Sequence, residues 1–170
     1  FTPVVAFAGT ISQSTSVPQD FSADAEYVIN KDVTISSAGS ESAVSVTGIN
    51  VTSTTNKGNI SGKGNGLDIN TGAQRVIIHN ESGATISSTT ANAVNVQSML
   101  GDLNNDGNIT GTENGVFVSE SSSAVNIANT DTGIIRGNTG LSSKIGVGIN
   151  NSGTTTGTNG DGLRLSDGTT

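Results

Sequence analysis

Short apolar runs return along this chain at a nearly fixed interval, each flanked by Gly, Ser, Asn or Asp. The clearest copy spans 107–118: Ile109, a glycine at 111, a second at 115, then Val116 and Val118 around Phe117. It recurs as Ile60-Ser61-Gly62 with Gly66-Leu67-Asp68-Ile69, and as Ile86-Ser87-Ser88 with Ala93-Val94-Asn95-Val96. Ile35-Ser36-Ser37 with Ala43-Val44-Ser45-Val46 precedes these copies. Ile135-Arg136-Gly137 with Gly140-Leu141, and Thr155-Thr156-Gly157 with Gly162-Leu163-Arg164-Leu165, follow them. Equivalent positions lie 20 to 27 residues apart, which marks a repeat architecture before any other feature is weighed.

Three strands align in each unit. The first centres on Ile35, Ile60, Ile86, Ile109, Ile135 and Thr155, and the second begins at Val44, Leu67, Val94, Val116, Leu141 and Leu163. The third takes Ile49 and Val51, Val76 and Ile78, Leu103, Val125 and Ile127, then Val147 and Ile149. Alternation of period two buries one face and leaves the other to solvent. A unit this short cannot hold a βαβ crossover, and no stretch shows a 3.6 period of good helix formers. The pattern therefore predicts an all-β solenoid in which each strand pairs in parallel with its equivalent one layer away. Six layers at ~4.8 Å make a rod roughly 30 Å long. Glycines such as Gly62 and Gly111 are expected at corners that demand a left-handed backbone.

Asn56, Asn80, Asn105, Asn129 and Asn151 each follow a third strand and precede a glycine. A ligand-binding row and an internal ladder of stacked amides both fit, and the ladder is the better expectation, because stacked amides satisfy turn backbone well.

The amino terminus departs from the repeat. Phe1–Ala8 is apolar and ends in Ala6-Phe7-Ala8, which reads either as the tail of a secretory signal with a small-x-small cleavage site or as a short apolar strand. Residues 9–30 are expected to cap the open first layer, with Phe21 and Tyr27 covering it, and 31–170 form the repeats.

Gly contributes 23 of 170 residues and aromatics 3%, a composition that suits a thin aliphatic core repeated along an axis. The net charge of −7, without a basic cluster, argues against nucleic acid and anionic membrane as partners. With no cysteine, disulfide and thiolate-metal frameworks are excluded. No apolar run reaches the ~20 residues of a spanning helix.

The phrase Asn-x-Gly-x-Ile-x-Gly followed by Gly-Val-x-Val and Val-x-Ile-x-Asn stands at Asn56–Gly62, and its last part at Val125-Asn126-Ile127-Ala128-Asn129. Asn151-Ser152-Gly153 to Leu165 repeats it with Thr155 in place of Ile. It resembles the passenger domains of Gram-negative autotransporters over roughly residues 31 to 170. The resemblance implies a single-stranded right-handed parallel β-helix of about six three-stranded coils, exported across the outer membrane to the cell surface. It implies anchoring through an outer-membrane barrel that lies outside this chain, and coils that continue beyond residue 170.

Chemistry is sparse. His79 is the only histidine, beside Asn80, and reads as a surface residue; Asp68 and Arg75 share one coil. Paired aspartates, a Gly-x-Ser-x-Gly elbow and a Cys-His pair are all missing, so no catalytic residues are assigned. One metal motif fits better: Asp102, Asn104, Asp106 and Glu113, with Gly107 between, match the spacing of a twelve-residue calcium loop. A solvated acidic turn is the alternative. No other cofactor is expected.

The expected function is that of a surface-exposed or secreted structural or adhesive segment, working through self-association or through a host or cell-surface ligand. A polysaccharide lyase or hydrolase would instead need converging carboxylates, for which Asp68, Glu41 and Glu120 are the acids to check. A rigid spacer for a distal domain is the further alternative.

Overall fold

The computed structural model describes residues 9–23, 25–70, 72–98, 100–123 and 125–166, so the reading of Phe1–Ala8 falls outside it. A partial coil holds β1 (Gly9–Ile11) and β2 (Gln19–Phe21). Coil 1 follows with β3 (Glu26–Ile29), β4 (Thr34–Ser37) and β5 (Val44–Val46), and coil 2 with β6 (Ser53–Asn56), β7 (Asn59–Gly62) and β8 (Leu67–Ile69). Coil 3 is β9 (Val76–Asn80), β10 (Thr85–Ser88) and β11 (Val94–Val96); coil 4 is β12 (Leu100–Asn105), β13 (Asn108–Thr110) and β14 (Asn114–Val118). Coil 5 is β15 (Asn126–Asn129), β16 (Ile134–Gly137) and β17 (Thr139–Ser143), and coil 6 is β18 (Gly148–Asn151), β19 (Thr154–Gly157) and β20 (Leu163–Leu165).

Every strand pairs in parallel with its equivalent in the neighbouring coil, which builds three sheets of seven, six and seven strands. The fold is a right-handed parallel β-helix. Among the described residues no helix is long and apolar enough to cross a membrane.

The interior is a set of aliphatic rows. Ile35, Ile60, Ile86, Ile109 and Ile135 stack in register in the second sheet and are fully buried, with Thr155 ending the row. Val44, Leu67, Val94, Val116 and Leu141 do the same in the third sheet. Each layer buries only a few side chains, so the rows rather than any one residue carry the hydrophobic stabilisation. The stretch 9–30 supplies β1, β2 and β3 to these sheets, and Phe21 and Tyr27 stack inside with ring centroids 4.0 Å apart. Thr15 bridges to Ile35, so the second sheet is also touched by the partial coil.

One strand lies elsewhere than expected. The third strand of the repeat that begins at Ile35 is Ser53–Asn56, not Ile49 and Val51. Thr54 takes the core position against Ile78, while Ile49 is 61% exposed. Asn56 imposes this register, because only with Asn56 opposite Asn80 can the two buried amides bond to each other. Val51 is nevertheless buried, tucked into a turn in which its N–H donates to the Gly48 carbonyl.

The corners also need their glycines for another reason than expected. Gly62, Gly111 and Gly137 do not have positive φ; among the described residues only Gly9, Gly83 and Asp32 do. Their lack of a side chain answers close approach: a Cβ on Gly111 would collide with the Asn114 carbonyl, and one on Gly62 with that of Asn65. The corners after them are short, 63–66, 112–113 and 138. Where the corner lengthens to 38–43 or 89–93, serine stands in the same row as Ser37 or Ser88.

The other corner alternates in pairs. Coils 1, 3 and 5 pass from first to second sheet through hydrogen-bonded turns at 30–33, 81–84 and 130–133. Coils 2, 4 and 6 pass through a tight glycine corner at Gly58, Gly107 and Gly153. Each tight glycine packs against carbonyls of the wide turn beside it, Gly58 on Val33 and Asn30, Gly107 on Ala84 and Glu81, Gly153 on Thr130 and Gly133. The uneven repeat length read from the sequence is partly this alternation.

Candidate functional site

The asparagine row is the most ordered polar feature. Asn56, Asn80, Asn105 and Asn129 are buried, and each donates from Nδ2 to Oδ1 of the next, at 2.9, 2.8, 2.7 and 2.8 Å, ending on Asn151. The same Nδ2 atoms also donate to backbone carbonyls of the next coil, those of Thr85, Asn108, Ile134 and Thr154. Every donor points the same way along the rod. The amides are consumed by the scaffold, as an internal ladder requires, and present nothing to a ligand.

Outside the core, the middle of the third sheet carries an outward row of Ser45, Asp68, Asn95, Phe117 and Ser142. Asp68 is only 9% exposed, and its Oδ1 accepts from Asn95 Nδ2 at 2.8 Å. Asn114 donates in turn to Asn92 at 2.7 Å. Burial pushes the Asp68 carboxyl above its ordinary value, and the Asn95 amide opposes that shift only partly. Sequence reasoning singled out Asp68 as an acid but not its burial, which comes from neighbours on adjacent coils.

The structure does not gather the three acids. Asp68 sits on β8 in coil 2 between Ser45 and Asn95. Glu41 lies in the corner 38–43 of coil 1, and Glu120 in the turn after β14, two strands along the sheet from Asp68. Two inter-strand spacings amount to about 10 Å.

The calcium candidates are likewise spread out. Asp102 and Asn104 are part of β12, where Asp102 faces Arg75 at 3.6 Å and accepts from Asn126 Nδ2 at 3.2 Å. Asp106 Oδ1 accepts from the Thr130 hydroxyl at 2.6 Å. Glu113 stands beyond β13, in the corner before β14. An extended strand and an intervening second-sheet strand thus separate residues that a calcium loop would wrap round one ion. Among the described residues no group of three or more His, Asp or Glu side chains is placed to hold a metal.

The outer face of the first sheet is an open polar surface. Thr55, His79, Asn104, Ala128 and Asn150 stand in register, one per coil, with His79 exposed and its Nε2 3.5 Å from Asn104 Nδ2. Beside them run Ser53, Ile77, Asp102, Asn126 and Gly148. Compared with known proteins, the chain matches no family model, no curated protein and no solved structure.

Proposed function

We propose that this chain is a rigid, surface-displayed rod, the structural or adhesive segment of an autotransporter-like protein, acting in contact between cells or between a cell and a surface. In this reading the full protein is exported across an outer membrane and held there by a barrel outside this chain. The observation that supports it is the outer face of the first sheet, where Thr55, His79 and Asn104 stand in register at the spacing between strands and Asn150 continues the row beyond Ala128. A row of hydrogen-bonding side chains on a stiff support meets a like row, or a repetitive host surface, many times over. Weak contacts then sum into avidity without a deep pocket.

Analytical ultracentrifugation of the purified chain, with adhesion of chain-coated beads to cells, tests the reading. Asn104→Lys with Asn126→Lys places like charges on the face and is expected to abolish self-association or adhesion. A monomeric, non-adherent chain would overturn the proposal. Adhesion of the full protein that ignores both substitutions would instead favour a spacer carrying a distal binding domain.

A second reading, polysaccharide cleavage, is favoured by one observation, the buried Asp68 whose carboxyl holds its proton more tightly than usual. Incubation with acidic and neutral polysaccharides, assayed for new reducing ends, tests it, with Asp68→Asn as the control that must lose the activity.

A further inference from the structure

Of the described Phe and Tyr residues, Phe117 alone faces out of the coil. Val116 and Val118 point into the core on either side of it, so the alternation of β14 puts its ring, half-buried, on the outer face of the third sheet. Leu67 and Ile69 do the same for Asp68, two strands away in the same row, and Asn95 stands between them. A chain of amides leads to Asp68. Asn114 Nδ2 donates to Asn92 Oδ1 at 2.7 Å, Asn92 Nδ2 to Asn95 Oδ1 at 3.5 Å, and Asn95 Nδ2 to Asp68 Oδ1 at 2.8 Å. No cation offsets the burial of this acid. Arg75, on the same coil, pairs instead with Asp102 on the first sheet, and among the described residues no Lys or Arg forms an ion pair with Asp68. Its second oxygen, Oδ2, has no hydrogen-bond partner among the described residues, yet it is reachable from outside: the fully enclosed unpartnered side-chain atoms there are Ser37 Oγ and Thr54 Oγ1. A covered carboxylate, fixed on one side by amides and free on the other, suits a ligand better than a scaffold.

We propose that this face binds a neutral oligosaccharide lying along the rod, with one sugar ring on Phe117 and a hydroxyl of the next donating to Asp68 Oδ2. The C–H groups on the face of a pyranose carry the weak positive charge that the negative face of an aromatic ring attracts. Two inter-strand spacings, about 10 Å, separate the ring from the carboxylate, a span that takes a disaccharide and exceeds a single sugar. A hydroxyl brings one donor to the one free oxygen. An ammonium would arrive with three and leave two unmet in so covered a place. A uronic acid would bring its own carboxylate against Asp68 and against a chain of net charge −7. The site shares Asp68 with the cleavage reading but breaks no bond, and it lies on another sheet than the polar face proposed for adhesion.

Cellotetraose, chitotetraose, maltotetraose, glucose, tetragalacturonate and spermidine, titrated in turn into the 15N-labelled full chain, test the proposal. At least one neutral tetrasaccharide is expected to shift the amide signals of Asp68, Asn95 and Phe117 in a saturable way. Glucose, which can make one of the two contacts, should bind about fivefold more weakly. Phe117→Ala, a change to an outward side chain, should weaken the tetrasaccharide about fivefold, and Phe117→Tyr should hold its affinity. Asp68→Asn keeps an acceptor but loses its charge, and should also weaken binding about fivefold. New reducing ends are scored in the same mixtures, and binding without them keeps this proposal while ending the cleavage reading. No saturable shift with any of the three tetrasaccharides at tens of millimolar, or shifts centred on another face, would overturn the proposal. So would tetragalacturonate or spermidine binding these residues as tightly as the neutral sugars do, or affinity unchanged in either Phe117→Ala or Asp68→Asn.

Discussion

Removing Asn105 interrupts the amide ladder at its centre. Its Nδ2 donates to Asn129 Oδ1 at 2.7 Å and to the Ile134 carbonyl at 3.2 Å, and its Oδ1 accepts from Asn80 at 2.8 Å. Asn105→Ala leaves one N–H of Asn80 and the Oδ1 of Asn129 without partners, on residues that are 0% and 2% exposed. Each unsatisfied buried group costs about 1–3 kcal/mol, so the pair costs about 2–6 kcal/mol, before any penalty for the void. That is a large share of the roughly 5–15 kcal/mol that keeps a domain folded. Asn151→Ala is the matched control. Asn151 is exposed, and Asn129 Nδ2 keeps the Gly133 and Thr154 carbonyls when it is lost. Its cost should stay near 1 kcal/mol. Urea melts followed by far-UV circular dichroism measure both, with midpoint and slope compared because a solenoid can unfold from one end. If the two variants fall within about 0.5 kcal/mol of each other, the ladder contributes shape and not stability, and the reasoning fails.

Three further outcomes follow from other parts of the rod. Because burial raises the Asp68 carboxyl above 3.8, its folded-state proton stabilises the protein fully only below that value, and this contribution is lost as pH climbs through the higher folded one. Asp68→Asn should therefore melt higher than the parent near neutral pH and converge with it on acidification; a pH-independent difference would contradict the assignment. Gly111→Ala forces a methyl group against the Asn114 carbonyl and the Ala93 N–H, and should lose about 1–3 kcal/mol in the same urea assay, while a neutral result would show that the corner gives way. Since Asp102 is paired with Arg75 inside a strand, melting curves in millimolar calcium and in chelator are expected to coincide. A rise that Asp102→Ala with Asp106→Ala removes would restore a calcium site.

The rows of this structure were legible because an isoleucine between polar residues, repeated at one interval, has a single way to be buried. Ile60, Ile86, Ile109 and Ile135 needed nothing but their spacing. The asparagine ladder was legible for the same reason. Ile49 and Val51 mislead because register outweighs hydrophobicity there: the buried amide pair of Asn56 and Asn80 puts Thr54 at the core position of the strand, Ile49 stays exposed, and Val51 is buried in a turn. The corner glycines are legible by position, but the reason for them is not. Left-handed φ and contact with a crossing carbonyl leave the same letter in a sequence, and only the second applies at Gly62 and Gly111. The burial of Asp68 depends on what the adjacent coils place beside it. No single unit of the repeat contains that information.

The uniform direction of the ladder and of the sheets has a mechanical meaning. Strands run across the rod, so the backbone bonds between coils, and the amide bonds from Asn56 to Asn151, lie along its length. Tension applied at the two ends is then borne by one interface at a time, which opens as a zipper and does not resist as a shear joint. Each release frees a coil of about 24 residues, or roughly 80 Å of extended chain at ~3.4 Å per residue. Stretched in an optical trap, the rod should lengthen in steps of that size at modest force, and a single all-at-once rupture would contradict this picture. A tether that yields coil by coil dissipates a pull that would break a stiffer one.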